Sequence, residues 1–183
     1  KINKNIIIAT GGTGGHILPA VSLVNYLNKI GFNLFLTTDR RGLKFIDTSG
    51  INNLKIINGS SINKKNIFIA PLLIFVAVLK SFFYLLKVKP KFIFGMGGYA
   101  SFPVCAAAII LKIPFILYEN NLQLGKANRI LLPFAKKIFI SYKEIIGIKD
   151  KYSNKTDVIG NIIREQILDN YNPKENDSFN TLK

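Results

Sequence analysis

Ile6-Ile7-Ile8-Ala9-Thr10-Gly11-Gly12-Thr13-Gly14-Gly15-His16-Ile17-Leu18-Pro19-Ala20 decides the reading of the fold. The β-branched run at its start reads as a buried strand. Glycines and two threonines then turn the chain. The apolar residues that follow, Ile17, Leu18, Val21, Val24 and Leu27, fall at helical spacing. Strand, glycine turn and helix make an anion-binding arrangement. Glycine lets backbone approach a ligand, and the free N–H groups of a helix N-terminus favour negative charge. The sequence has 1 histidine, His16, and it stands where the helix begins. A tight structural turn would account for the glycines but not for that placement.

Two common phosphate motifs do not match. The dinucleotide pattern G-x-G-x-x-G can take Gly12 and Gly14 but then meets Ile17. A P-loop needs Lys after its last glycine, and Gly15 is followed by His16. The loop is therefore expected to hold a phosphate or a sugar outside both classes.

Outward from this unit, strands and helices alternate. Phe32–Thr38 reads as a second strand and Asp39-Arg40-Arg41-Gly42 as a turn, with Asp39 a solvated turn residue. Leu54–Ile57 reads as a third strand, and 59–66 as a basic polar loop. Lys91–Phe94 is a fourth strand running into a second glycine turn, Gly95-Met96-Gly97-Gly98-Tyr99, and then a helix over Val104–Leu111. Pro114–Tyr118 is a fifth strand that ends in Glu119-Asn120-Asn121. These three side chains suit sugar hydroxyls, or a cap on the next helix, Leu124–Phe134. Lys137–Ser141 is a sixth strand, Val158-Ile159 a short seventh, and Gly160–Arg164 turns into a last helix. The alternation predicts an α/β fold, a Rossmann-like parallel sheet flanked by helices, with both glycine turns on the ligand edge.

Residues 67–90 are apolar enough to pass for a membrane span. Lys80 near the bilayer centre would cost roughly 2.5–3.5 kcal/mol, and a span would cut the β/α alternation in two. A helix opening at Pro71 is expected instead. Leu72, Phe75, Val76, Leu79, Phe82, Phe83 and Leu86 form one stripe, while Ile74, Val78 and Leu85 leave the opposite side apolar too. One face can cover the sheet. The other is either buried in the ordinary way or meets lipid, with Lys64, Lys65, Lys80, Lys87 and Lys89 placed for anionic headgroups.

The 183 residues carry 25 Lys+Arg against 10 Asp+Glu, a formal net charge of +15. The excess points to an anionic partner, although a Lys-, Ile- and Asn-rich composition supplies part of it. The basic residues are scattered and match no nucleic-acid-binding motif, so nucleic acid is not expected as a partner. Cys105 has no cysteine to pair with, and no metal site or cofactor is expected. The chain opens on Lys1 and reads as a piece of a longer protein.

Four motifs in this order resemble the MurG family. They are Gly11–His16 with Pro19-Ala20, Gly95–Tyr99, Glu119-Asn120-Asn121 and Gly160–Arg164. That family comprises UDP-N-acetylglucosamine:lipid I N-acetylglucosaminyltransferases of peptidoglycan synthesis, with a GT-B fold of two Rossmann-like domains. The resemblance implies that residues 1–171 are the N-terminal acceptor- and membrane-binding domain. Residues 172–183 would begin an interdomain linker, with the C-terminal donor-binding domain beyond it. It implies UDP-N-acetylglucosamine and lipid I as substrates, no cofactor, and a peripheral place on an anionic membrane surface at the cytoplasmic face of the bacterial inner membrane. His16 is the expected general base, and Glu119 a second base or the group that orients the acceptor. Thr13, Gly14, Gly15, Asn121 and Arg164 would bind substrate, and Gly97, Gly98 and Tyr99 the acceptor diphosphate. Leu72, Phe75, Leu79, Lys80, Phe82 and Phe83 would form the membrane patch. Where the family reads His-Glu-Gln-Asn, this chain has Tyr118-Glu119-Asn120-Asn121.

Overall fold

The computed structural model describes residues 5–47, 51, 53–58 and 69–162. The expected last helix, the 172–183 tail, Arg164, Lys64 and Lys65 lie outside the described residues.

Period-two alternation builds the centre of the fold. On β1 (Asn5–Ala9), Ile6 and Ile8 face one apolar layer and Ile7 and Ala9 the other. β1 pairs with β2 (Asn33–Thr38) on one side and β4 (Phe92–Gly95) on the other, both parallel. With β3 (Leu54–Ile56), β5 (Phe115–Glu119), β6 (Lys137–Ile140) and β7 (Thr156–Val158) the sheet has the order β3-β2-β1-β4-β5-β6-β7. All its pairings are parallel. The strand order reverses between β1 and β4, and ligands of such sheets bind outside the strand ends at that switch point.

α1 (Gly14–Lys29) covers one layer through Ile17, Ala20 and Val24. α2 (Ala70–Val88), α3 (Ser101–Ile110) and α4 (Lys126–Leu131) lie over the other, where most of α3 is buried. α3 starts at Ser101, earlier than the sequence indicates. Pro103 falls in the first turn, where no backbone donor is needed, and the Ser101 hydroxyl donates to the Gly98 carbonyl at 2.9 Å. α4 is shorter than expected at both ends: at its start Gly125 N and Leu124 N are drawn into other bonds, to Glu119 Oε2 and the Ile146 carbonyl, and Pro133 follows its last turn.

α2 is long and apolar enough to cross a membrane by length and composition. Here it is the crossover from β3 to β4. Its buried stripe is Ala77, Ser81, Leu85 and Val88, packed toward α3. The larger side chains Leu72, Phe75, Val76, Leu79, Phe83 and Leu86 are exposed. Small residues let two helices approach closely, so this helix buries its least bulky side.

Candidate functional site

The two glycine loops leave β1 and β4, neighbouring parallel strands, and meet above them. A Cβ on Gly98 would lie 2.6 Å from the Gly11 carbonyl oxygen, and one on Gly11 would lie 2.3 Å from Ala100 Cβ. Gly98 also has φ +77°, a backbone conformation that suits glycine. The glycines thus serve first to bring two loops into backbone contact.

His16 projects from the first turn of α1 against the second loop. A Cβ on Gly97 would lie 3.0 Å from its Nδ1 and Cε1. Burial lowers the pKa of the imidazole below 6.5, outweighing the nearby Glu119 carboxylate and the Met96 backbone, which both pull it up. Among the described residues, Nδ1 is buried without a hydrogen-bond partner of good geometry. The ring is therefore neutral at pH 7, with an anion close by to stabilise it when it takes a proton.

Glu119, at the end of β5, is 1% exposed. Its Oε1 accepts from Asn121 N (3.2 Å) and Nδ2 (2.7 Å), and its Oε2 from Gly125 N (2.9 Å) and Asn128 Nδ2 (3.0 Å). Two bonds on each oxygen fill its directional capacity. It holds the loop between β5 and α4 in place and sets the Asn121 amide.

Asn120 ties this loop to the first. Pro19, inside α1, has no N–H to give the Gly15 carbonyl four residues earlier. Asn120 Nδ2 donates to that carbonyl at 2.7 Å. Behind the first loop, Asp39 is 3% exposed rather than solvated, which corrects the reading of a turn aspartate. Its Oδ1 accepts from Gly12 N (3.0 Å) and Gly42 N (2.9 Å), and its Oδ2 from Arg41 Nε (2.9 Å). Burial raises its pKa, but these three donors prevail and hold it below 3.8.

His16, Gly98, Tyr99, Glu119 and Asn121 line one cup of about 150 Å³, joined by Gly125, Lys126, Ala127 and Asn128. That is small against the roughly 300–1,000 Å³ of ordinary ligand sites, so the cup suits one polar group rather than a nucleotide sugar. Gly97 stands behind the imidazole. Thr13 and Gly15 are exposed outside the cup, and Gly14 faces Phe45, 3.5 Å from where its Cβ would be. Of the α2 residues singled out, Leu72, Phe75, Leu79, Lys80 and Phe83 are exposed, and Phe82 is half-buried. Asn128, Asp39 and Lys126 were not anticipated as site residues, and Asn120, expected to face sugar hydroxyls or cap the next helix, instead braces the first loop.

Residues 6–140 match the glycosyltransferase family 28 N-terminal domain. The chain belongs to glycosyltransferase family 28. Two relatives carry the name UDP-N-acetylglucosamine–N-acetylmuramyl-(pentapeptide) pyrophosphoryl-undecaprenol N-acetylglucosamine transferase. One, from Pelagibacter ubique, is 37% identical over 99% of this chain and 50% of its own length. The other, from Rickettsia canadensis, is 40% identical over 90% of this chain and 46% of its own length. Among solved structures, Acinetobacter baumannii MurG superposes with a TM-score of 0.71 at 23% identity, over 85% of this chain and 45% of that one. The chain thus spans about half the length of the curated relatives it matches. Its sheet is a Rossmann-like half of a GT-B fold, and the cup lies at the switch point of this family 28 domain.

Tyr118, the residue before Glu119, takes up a separate task. It is buried, and its hydroxyl contacts Ser141 Oγ (3.0 Å) and accepts from Ile162 N (3.0 Å). The segment leaving β7 is thereby attached to the strand that carries Glu119.

Proposed function

We propose that this chain is the acceptor-binding half of an inverting glycosyltransferase. The enzyme moves N-acetylglucosamine from UDP-N-acetylglucosamine to the C4 hydroxyl of the lipid I MurNAc, forming lipid II for peptidoglycan. The observation that carries this reading is the neutral His16 ring, held between the second glycine loop and a buried Glu119 in a family 28 domain. His16 takes the proton of the attacking hydroxyl as UDP leaves. Glu119 orients Asn121, and its carboxylate offsets the charge that the imidazole acquires. Gly97, Gly98 and Tyr99 receive the acceptor diphosphate, and Asn121 the sugar. Thr13, Gly14 and Gly15 sit at the helix N-terminus, where backbone N–H groups favour negative charge; Arg164 contacts the donor. Residues 1–171 form the domain, and 172–183 lead toward the donor domain. The exposed apolar side of α2, with Lys80 and Lys87, rests on the anionic cytoplasmic face of the inner membrane.

The test joins this chain to the C-terminal half of the Rickettsia canadensis relative and measures sugar transfer to a lipid I analogue. Transfer from UDP-N-acetylglucosamine is expected, and His16→Ala should abolish it. Transfer only from another nucleotide sugar, or only to another glycolipid, would overturn the assignment of substrates.

A further inference from the structure

The cup opens sideways. Tyr99, Lys126 and Ala127 line it and also line a larger groove of about 880 Å³ between α2, α3 and α4. The groove walls are apolar: Ile74, Val78 and Phe82 from α2, Phe102 from α3 and Ile130 from α4, with Lys126 the one charged residue lining it among the described residues. A polar cup, a cation at the junction and an apolar trough in line with it match an amphiphile whose anionic head joins a hydrocarbon chain. The volume lies in the range of a site that encloses a whole small molecule, about 300–1,000 Å³.

We propose that this groove takes the first isoprene units of the acceptor's own polyprenyl chain, with its diphosphate beside Lys126. The inference rests on the reading of the chain as the acceptor half. It separates two apolar surfaces of α2 that the sequence merges. Leu72 and Phe83, 63% and 65% exposed, do not line the groove and are left for the bilayer surface. The groove is concave, so a single chain can enter it where a flat lipid surface cannot follow its walls. On this view the enzyme draws the start of the lipid tail out of the membrane and fixes the diphosphate against the glycine loops.

Calorimetric titration of the 183-residue chain with inorganic diphosphate, geranyl diphosphate and farnesyl diphosphate, without membranes, tests this. Affinity should rise with each isoprene unit, by at least ~10-fold from the first ligand to the last, since each buried methylene adds to transfer out of water. Ile130→Glu should remove the gain from the tail, read as the ratio of farnesyl to inorganic diphosphate affinity, because the new carboxylate one turn from Lys126 weakens all three ligands alike. Ile130 is 59% exposed, so the fold should tolerate the change, and Phe75→Glu, at 58%, gives a second probe from the facing helix. Lys126→Ala should weaken all three ligands. Phe83→Glu should leave all three intact but reduce sedimentation with phosphatidylglycerol vesicles. Equal affinity for the three ligands would overturn the groove assignment while leaving sugar transfer to stand on its own assay. So would loss of vesicle binding in Ile130→Glu and Phe83→Glu alike, which would make the groove part of the membrane face. Failure to bind any diphosphate would remove the cup's role as well.

Discussion

Asn120 supplies the Gly15 carbonyl with the hydrogen bond that Pro19 withholds. A helix interior proline ordinarily leaves a backbone acceptor short of a partner. Here the unfilled acceptor joins the end of β5 to the first turn of α1. Asn120→Ala should therefore destabilise the domain by about 0.5–1.5 kcal/mol, the net worth of one hydrogen bond to a carbonyl that water can reach. Adding Pro19→Ala returns an N–H to the helix and should recover much of that loss. Urea unfolding of the two single variants and the double variant measures it. Additive effects would show that the carbonyl is not what Asn120 serves.

His16→Gln should lower kcat of the joined two-domain enzyme by about 10²–10⁴, the usual worth of a positioned base, with little change in KM for the acceptor. Since burial holds the ring's pKa below 6.5, the acid limb of the kcat profile should lie below that value. The sign for stability follows. The unfolded chain binds the proton more readily, so stability attached to His16 is fully present above pH 6.5 and declines as pH falls through the folded value. Thermal melts of wild type and His16→Gln between pH 5 and 8 should converge at the acid end.

Glu119→Gln keeps the shape but replaces one oxygen with a donor that faces Gly125 N or Asn121 N. Loss of more than about 2 kcal/mol is expected from breaking a buried, fully bonded group. Activity should fall together with structure. Near-wild-type stability with lost turnover would instead give Glu119 a direct chemical task.

Asp39→Ala removes the acceptor for Gly12 N, Gly42 N and Arg41 at once and should cost about 2–4 kcal/mol. The carboxyl is held below 3.8, so its contribution is whole above that pH and is lost as pH falls through the lowered value. Acid titration of stability should shift between wild type and Asp39→Asn.

Cys105 is buried, and burial pushes its thiol up to about 12. It should react with thiol reagents in the native state only as fast as the domain opens, which makes it a reporter of global unfolding.

The alternation of apolar runs with helical spacing made the sheet legible, because Ile6–Ala9 and Phe92–Phe94 carry a strong local pattern. Both glycine turns were legible for the same reason. The support of the site was not. Asp39 looks like any charged turn residue, and its burial depends on Gly12 and Gly42 arriving from two loops. Asn128 is one polar residue in a short helix, and its bond to Glu119 crosses a loop. On α2 the period could not tell which side faces inward. The helix is apolar all round, and the buried side is the one with Ala77 and Ser81 rather than the one with Phe75 and Phe83.

The pairing of β1 with β4 brings Ile7 beside Ile93, far apart along the chain. Closing so long an excursion carries an entropic cost before any contact rewards it. The two glycine loops cannot meet until α2 has formed and the chain has returned to the sheet. A nascent polypeptide that ends before Phe92 therefore holds the first loop and its histidine but lacks Gly98, Tyr99 and Glu119 to complete the cup, so ligand affinity emerges late in synthesis.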